Sequence, residues 1–298
     1  MTGFAKNELS ILIPNYNNVC VDQVKDLQRQ AQALGIDYEI IVADDASPDK
    51  ESIRANEVIN LLPHCRYVVK ASNSGSAATR NFLGASSRYK WMLFLDADIC
   101  IPDDPFLRNY LQNSGEGVIN GGISIVSNDS LKSNLRYIYE KEAEPLHSAD
   151  RRQQNRYQEF RSTNFLIDRA SFEQCPFDER FTKSGYEDVL FGKHLKQKGI
   201  PVTHIDNPVT MTTFETNPDY IAKTERNLRT LHHFRQELRG YSRMLTLIEG
   251  IHIPLILSII RLFHRLFGSL IRRNLCSSHP VLRLFSLYRL GYFLAIDA

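Results

Sequence analysis

Residues 91–104, "WMLFLDADICIPDD", put two carboxylates, Asp96 and Asp98, at the end of an apolar run that holds the chain's only tryptophan. The run Met92 to Leu95 reads as a strand buried on both faces, the pattern of a parallel sheet. An extended chain points alternate residues to one side, so Asp96 and Asp98 project together from the strand's carboxyl end while Ala97 points away. Open α/β sheets bind ligands at that end of their strands. Paired acids repel each other unless a cation lies between them. A divalent ion that prefers hard oxygens, its coordination completed by a phosphate-bearing ligand, is the natural partner. The competing reading is a solvated turn, because Asp and Pro crowd residues 96–105.

Three more strand-like runs precede this one: "SILIPNY" at 10–16, "YEIIVADD" at 38–45 and "RYVVKAS" at 66–72. The gaps hold helical segments, "VDQVKDLQRQAQALG" with Gly35 as its cap and the shorter "SAATRNFLGASS". Strands alternating with helices predict an α/β fold with a parallel, doubly wound sheet. No G-x-G-x-x-G follows the first strand and no G-x-x-x-x-G-K-[ST] occurs, so neither common phosphate loop is present.

The second strand ends in its own acid pair, Asp44 and Asp45. Ser47 followed by Pro48 reads as a helix cap with Asp49 in the first turn. That leaves Asp44 and Asp45 at the strand end, where carboxylates accept hydrogen bonds from a ribose hydroxyl or a base N–H. Pro14 and Tyr16, after the first strand, are suited to border a base. In "NSGSAATRN", 73–81, Gly75 allows close backbone approach, the helix start offers N–H groups and Arg80 a forked cation, a set that suits an anionic ligand as well as an ordinary cap. "FDERFTKSGYEDVLFGKHLKQKG", 177–199, places Glu187 and Asp188 in a helix's first turn, where acids complement the dipole or act as a general base on a hydroxyl.

Taken in order, "ILIPNYNN", "IIVADDASPD", "NSGSAATRN", "MLFLDADICI" and the 177–199 stretch resemble the inverting glycosyltransferase family 2, whose fold is called GT-A. The resemblance covers roughly residues 8–230. It implies a nucleotide-sugar donor, UDP-sugar by default, and Mg²⁺ or Mn²⁺ held by D-x-D on the diphosphate. By the same resemblance Asp44 or Asp45 holds the nucleoside, Asp96 and Asp98 serve metal and donor, Asp188 is the base and Glu187 contacts the acceptor. The acceptor that the resemblance implies is a hydroxyl of a glycan or of a lipid-linked acceptor. One departure stands out: Met211 takes the place where such proteins often carry a histidine, and a thioether is too soft for either ion. Nearby His204 reads as a structural histidine.

Two rival readings remain open. Asp96 and Asp98 also resemble the nucleophile strand of haloacid-dehalogenase-type phosphatases, with Asp96 phosphorylated, although that motif normally stands near the amino terminus. The other is a sugar-nucleotide-binding membrane scaffold without catalysis.

At 298 residues and 43% hydrophobic, the chain is an ordinary globular protein. Its five cysteines lack C-x-x-C spacing and fit reduced thiols, and no signal peptide is visible, so a cytoplasmic location is expected. No Lys/Arg run interleaved with aromatics favours nucleic acid. The polar segment 127–162 reads as a solvated helix or loop, with Tyr137 and Tyr139 as elements of a lid or acceptor-facing strip. The expected division is a catalytic domain over 1–230 and a helical region over 231–298. In residues 241–298 seven arginines face only Glu249 and Asp297, so the body is mildly acidic and the tail basic. The tail's longest uncharged stretch, Gly250 to Ile260, is too short to span a bilayer. A helical wheel sets Arg261, Arg265 and Arg272 opposite Ile259, Leu262, Phe263, Leu266, Phe267 and Leu270. That pattern suits either a helix packed on the core or one lying in the plane of an anionic cytoplasmic membrane surface. On the second reading, a chain ended near Arg239 is expected to stay folded.

Overall fold

The computed structural model describes residues 4–102, 105–183 and 185–296; residues 103–104 and 184, which fall inside two of the quoted motifs, lie outside the described residues. Strands are β1 (Glu8–Asn15), β2 (Asp37–Asp44), β3 (Cys65–Val69), β4 (Trp91–Leu95), β5 (Ile99–Cys100), β6 (Val118–Asn120), β7 (Ile123–Ile125), β8 (Asn164–Asp168), β9 (Val202–His204) and β10 (Val209–Met211). The first helices are α1 (Val21–Leu34), α2 (Lys50–Asn56), α3 (Ser76–Ser86), α4 (Phe106–Gln112), α5 (Leu135–Ala143) and α6 (Ala149–Gln154). They are followed by α7 (Arg169–Gln174), α8 (Glu187–Gln197), α9 (Asn217–His233), α10 (Arg243–Glu249), α11 (Pro254–Leu275) and α12 (Leu282–Ala295).

The contacts divide the chain into two compact units. One comprises residues up to Ser124 with His147–Thr213; the other comprises Ile125–Leu146 with the residues from Phe214 on. The first is built on a seven-stranded sheet of order β3-β2-β1-β4-β8-β6-β9. β3, β2, β1 and β4 run parallel, as do β6 and β9, while β8 is antiparallel to both its neighbours. This is the mostly parallel, helix-flanked α/β sheet expected. All five residues of β4 are buried, as a strand covered on both faces requires. The β1–β4 ladder covers only Ser10 to Leu12, so Pro14 sits past it, where a residue without an N–H is tolerated. A second small sheet, β5-β10-β7, sets β10 beside the short strand that follows Asp98.

Gly35 caps α1 as expected, at φ 63° with its N–H on Gln32 O. The start of α2 differs from the sequence reading. Its cap is Asp49, which accepts from the Glu51 N–H, because the N–H and hydroxyl of Ser47 both turn to Asp44.

The polar 127–162 segment is not one solvated element. Its first part, with α5, joins the second unit, and its last part contributes a buried Arg152 to the first. That guanidinium donates to Asn120 Oδ1 at 2.9 Å and Ile205 O at 2.9 Å and contacts His204 Nδ1 at 2.7 Å, tying α6 to β6 and β9. His204 is the structural histidine expected: Nε2 lies 2.8 Å from Arg156 O, and burial drives its pKa down to about 4. Tyr137 and Tyr139 are not lid residues. Tyr137 is buried and stacks edge-on to Phe214, and Tyr139 edge-on to Phe285.

In the second unit Leu135, Ile221, Ile271, Leu275, Phe285 and Tyr288 form one core. The expected boundary at residue 230 therefore falls inside α9. A chain ended near Arg239 loses four of those six side chains, and with them most of the second unit's core.

Candidate active site

The first acid pair is divided between two tasks. Asp44 is fully buried and accepts from Asn15 Nδ2 at 2.9 Å, Ser47 N at 2.7 Å, Ser47 Oγ at 2.9 Å and Tyr67 OH at 2.9 Å. Four donors occupy both oxygens, so Asp44 braces the strand ends and is closed to a ribose. Asp45 accepts from Lys70 Nζ at 2.7 Å and from the Ser74 and Gly75 N–H groups at 3.0 and 2.8 Å. Burial opposes its charge, but these donors outweigh burial and hold the carboxyl below its ordinary range. The N–H groups of Ser74 and Gly75, just before α3, thus serve Asp45. Gly75 is fixed by geometry: φ is 88°, and a Cβ there would stand 2.7 Å from Thr182 O. Ala46, beside the pair, has φ 56°, a strained value for a non-glycine residue and one of the outliers that gather at functional sites. Pro14 is half-buried, and Tyr16 is 47% exposed just beyond β1.

The second acid pair splits as well. Asp96 accepts from Arg80 Nη2 at 2.7 Å, whereas Asp98 is exposed. Arg80, only 4% exposed on α3, also places Nη1 3.9 Å from Glu187 Oε1. Its Nε and Nη1 have no hydrogen-bond partner among the described residues. Unmet donors on a buried guanidinium are costly, and these two lie beside Asp96 and Glu187. Glu187 is held from both sides, by Ser76 Oγ at 2.7 Å and the Gly185 N–H at 2.8 Å.

α8 is entered through two left-handed residues, Gly185 at φ 108° and Tyr186 at φ 70°. This tight entry puts Asp188 in the first turn, half-buried and next to Glu187. Burial raises the Asp188 carboxyl to about 6, and the Glu187 charge adds to the rise, against the Val189 N–H, Arg161 and Arg80. A carboxyl held near 6 is matched to proton abstraction close to neutral pH. Sequence reasoning missed Arg161 and Lys70. Lys70 directly follows β3 and had no motif to mark it.

The residues fit a shared metal rather than a preformed cage. Asp96 and Asp98 offer hard oxygens at one strand end, but among the described residues no group of three or more His, Cys, Asp or Glu gathers. Met211 is buried opposite Ile99 in the β5–β10 pair, beside the D-x-D segment, and contributes nothing a hard ion prefers. Mg²⁺ or Mn²⁺ commonly rests on one or two carboxylates with phosphates and water.

The sequence model named "Glycosyl transferase family 2" matches residues 10–175, more than half of the chain. The chain belongs to glycosyl transferase family 2. It is 33% identical over 108 residues to the minor teichoic acid biosynthesis protein GgaA of Bacillus subtilis (strain 168), over 35% of this chain and 23% of that protein. It is 28% identical over 92 residues to an uncharacterized glycosyltransferase of Haemophilus influenzae, over 31% of this chain and 30% of that one. The matches thus span a third or less of these curated relatives. The fold resembles the mannosyltransferase PcManGT from Pyrobaculum calidifontis, solved in complex with GDP-Man and Mn²⁺, with TM-score 0.58 and 13% identity over 96% of this chain and 84% of that one. It also resembles a mycobacterial protein, with TM-score 0.52 and 16% identity over 76% and 75% of the two chains. The GT-A fold follows for this family 2 chain. The phosphatase reading of Asp96 falls with that membership, and the Asp96 carboxylate is engaged by Arg80.

Proposed function

We propose that this family 2 chain transfers a sugar from a nucleotide-sugar donor, UDP-sugar by default, to a hydroxyl of a glycan or lipid-linked acceptor, with inversion. The observation that carries the reading is Asp188, raised to about 6 and adjoining Glu187, which Arg80 links to Asp96 of the D-x-D segment. Asp188 takes the proton of the acceptor hydroxyl as the new bond forms, and Glu187 orients that hydroxyl. Attack from this side, opposite the departing diphosphate, inverts the anomeric carbon. Arg80, with its unmet Nε and Nη1 donors, stabilises charge growing on the leaving group. Asp45, Gly75, Pro14 and Tyr16 line the nucleoside end. Asp98, with Asp96, would hold Mg²⁺ or Mn²⁺, which when bound supplies Lewis-acid stabilisation of the diphosphate.

GgaA's part in teichoic acid biosynthesis supports a surface-polysaccharide acceptor. PcManGT's GDP-Man keeps a guanosine donor among those to test. For the C-terminal region we propose peripheral contact with an anionic membrane surface on the cytoplasmic side, through the exposed face of α11. A panel of UDP- and GDP-sugars, assayed for hydrolysis with and without Mn²⁺, tests the reading. Turnover of none, with or without acceptor, would favour the non-catalytic scaffold.

A further inference from the structure

Three sectors divide α11. One is packed: Ile271 and Leu275 are buried with Phe285 and Tyr288 of α12 and Ile221 of α9. The helices touch closely here, since a Cβ on Gly291 would stand 2.7 Å from His264 Cβ. The opposite sector is apolar and open, with Leu255, Ile259, Leu262, Leu266 and Leu270 each more than half exposed. Between them lies a rim of Arg261, Arg265 and Arg272. The 22-residue helix is, by length and composition, long and apolar enough to cross a membrane, although its uncharged stretch alone is too short. Its packed sector and two arginines in mid-helix instead suit a helix lying in the interface plane.

At the edge of this rim is a cavity of about 490 Å³, within the size range of ligand pockets. Arg235, Arg239 and Arg261 line it together with Leu245, Ile248 and Phe293. Arg239 pairs with Glu249 at 2.8 Å, and Arg235 Nη1 donates to His232 O at 2.9 Å. Arg261 makes no hydrogen bond or ion pair among the described residues. The cavity therefore carries more cation than acid, with an apolar wall.

We propose that this cavity seats the phosphate of an anionic phospholipid, its acyl chains leaving along Leu245, Ile248 and Phe293 as the apolar face of α11 enters the bilayer surface. The assignment rests on the membrane contact proposed above and names the lipid chemistry it selects. Arg261 belongs to both features, because it lines the cavity and stands on the rim of the inserted helix. A second copy of the chain is the poorer occupant, since antiparallel two-fold pairing through α11 would set arginine rim against arginine rim.

The test uses the full chain. Vesicles of phosphatidylcholine alone are compared with vesicles containing phosphatidic acid. Soluble short-chain phosphatidic acid below its micellar concentration and inorganic phosphate are titrated by calorimetry. The wild type pellets with the anionic vesicles and binds the short-chain lipid more tightly than inorganic phosphate. The variant Arg235→Gln/Arg261→Gln, with an unchanged melting curve, loses about tenfold or more of both. Leu262→Ser/Leu266→Ser abolishes vesicle binding and keeps the short-chain lipid. An arginine variant that binds lipid like the wild type, or inorganic phosphate bound as tightly as the lipid, overturns the cavity assignment while vesicle pelleting upholds the membrane contact. A wild type that ignores both vesicle types and elutes as a dimer overturns both.

Discussion

Arg80 Nη2 lies 2.7 Å from Asp96 Oδ1, and the same buried guanidinium reaches within 3.9 Å of Glu187, so one side chain of α3 joins the acid ending β4 to the first acid of α8. Removing it would leave two acids facing each other in a shielded site. Arg80→Gln is expected to destabilise the protein by about 3 kcal/mol, read as a fall in urea midpoint. Arg80→Lys keeps the charge and loses the fork. It should fold more stably than the glutamine variant yet turn over donor on the order of 10² more slowly. Wild-type stability and turnover in both variants would show that the bridge supports neither folding nor catalysis.

Asp98→Asn removes an exposed charge at a strand end and no core volume, so its melting temperature should match wild type. Metal-dependent turnover should drop by on the order of 10² to 10³. Unchanged turnover with Mn²⁺ present would remove Asp98 from the metal site.

Gly75 combines a left-handed φ with a Cβ position 2.7 Å from the Thr182 carbonyl. Gly75→Ala must move backbone that also carries an N–H to Asp45. A loss on the order of 2 kcal/mol or more is expected by thermal or urea unfolding. A variant as stable as wild type would show that the loop yields freely.

The raised Asp188 carboxyl sets a pH dependence of defined sign. As a base it must be ionised, so the transfer rate should climb as pH rises through about 6 and then level off. Stability moves the other way. A folded-state pKa above the unfolded one means that the native state holds its proton longer, so this group's contribution is present at low pH and lost as pH rises from about 4 to 6. Asp188→Asn should therefore equal or exceed the wild type in melting temperature at pH 7.5, with the margin shrinking toward pH 4.

Much of the fold and of the site was legible in the sequence because it rests on local rules. The apolar run before Asp96, the cap at Gly35 and the two acids opening α8 are read from period and spacing. What escaped depends on partners far apart in the chain. Nothing local says that Asp44 will be saturated by Asn15, Ser47 and Tyr67, or that Ser47 will abandon α2 to Asp49. Arg152 sits in a run of mixed charge that looks solvated, and only the fold brings Asn120, His204 and Ile205 around it. Likewise the tail's arginine stripe was visible, but only packing shows that Ile271 and Leu275 turn inward while Leu262 and Leu266 remain bare.

The most direct test of the account is to measure donor binding and sugar transfer on the same preparation of Asp188→Asn. The donor is the one that the nucleotide-sugar panel identifies, with Mn²⁺ present. The account predicts donor affinity by calorimetry within about twofold of wild type and transfer reduced on the order of 10² or more. Transfer at the wild-type rate by Asp188→Asn would contradict it and move the base elsewhere.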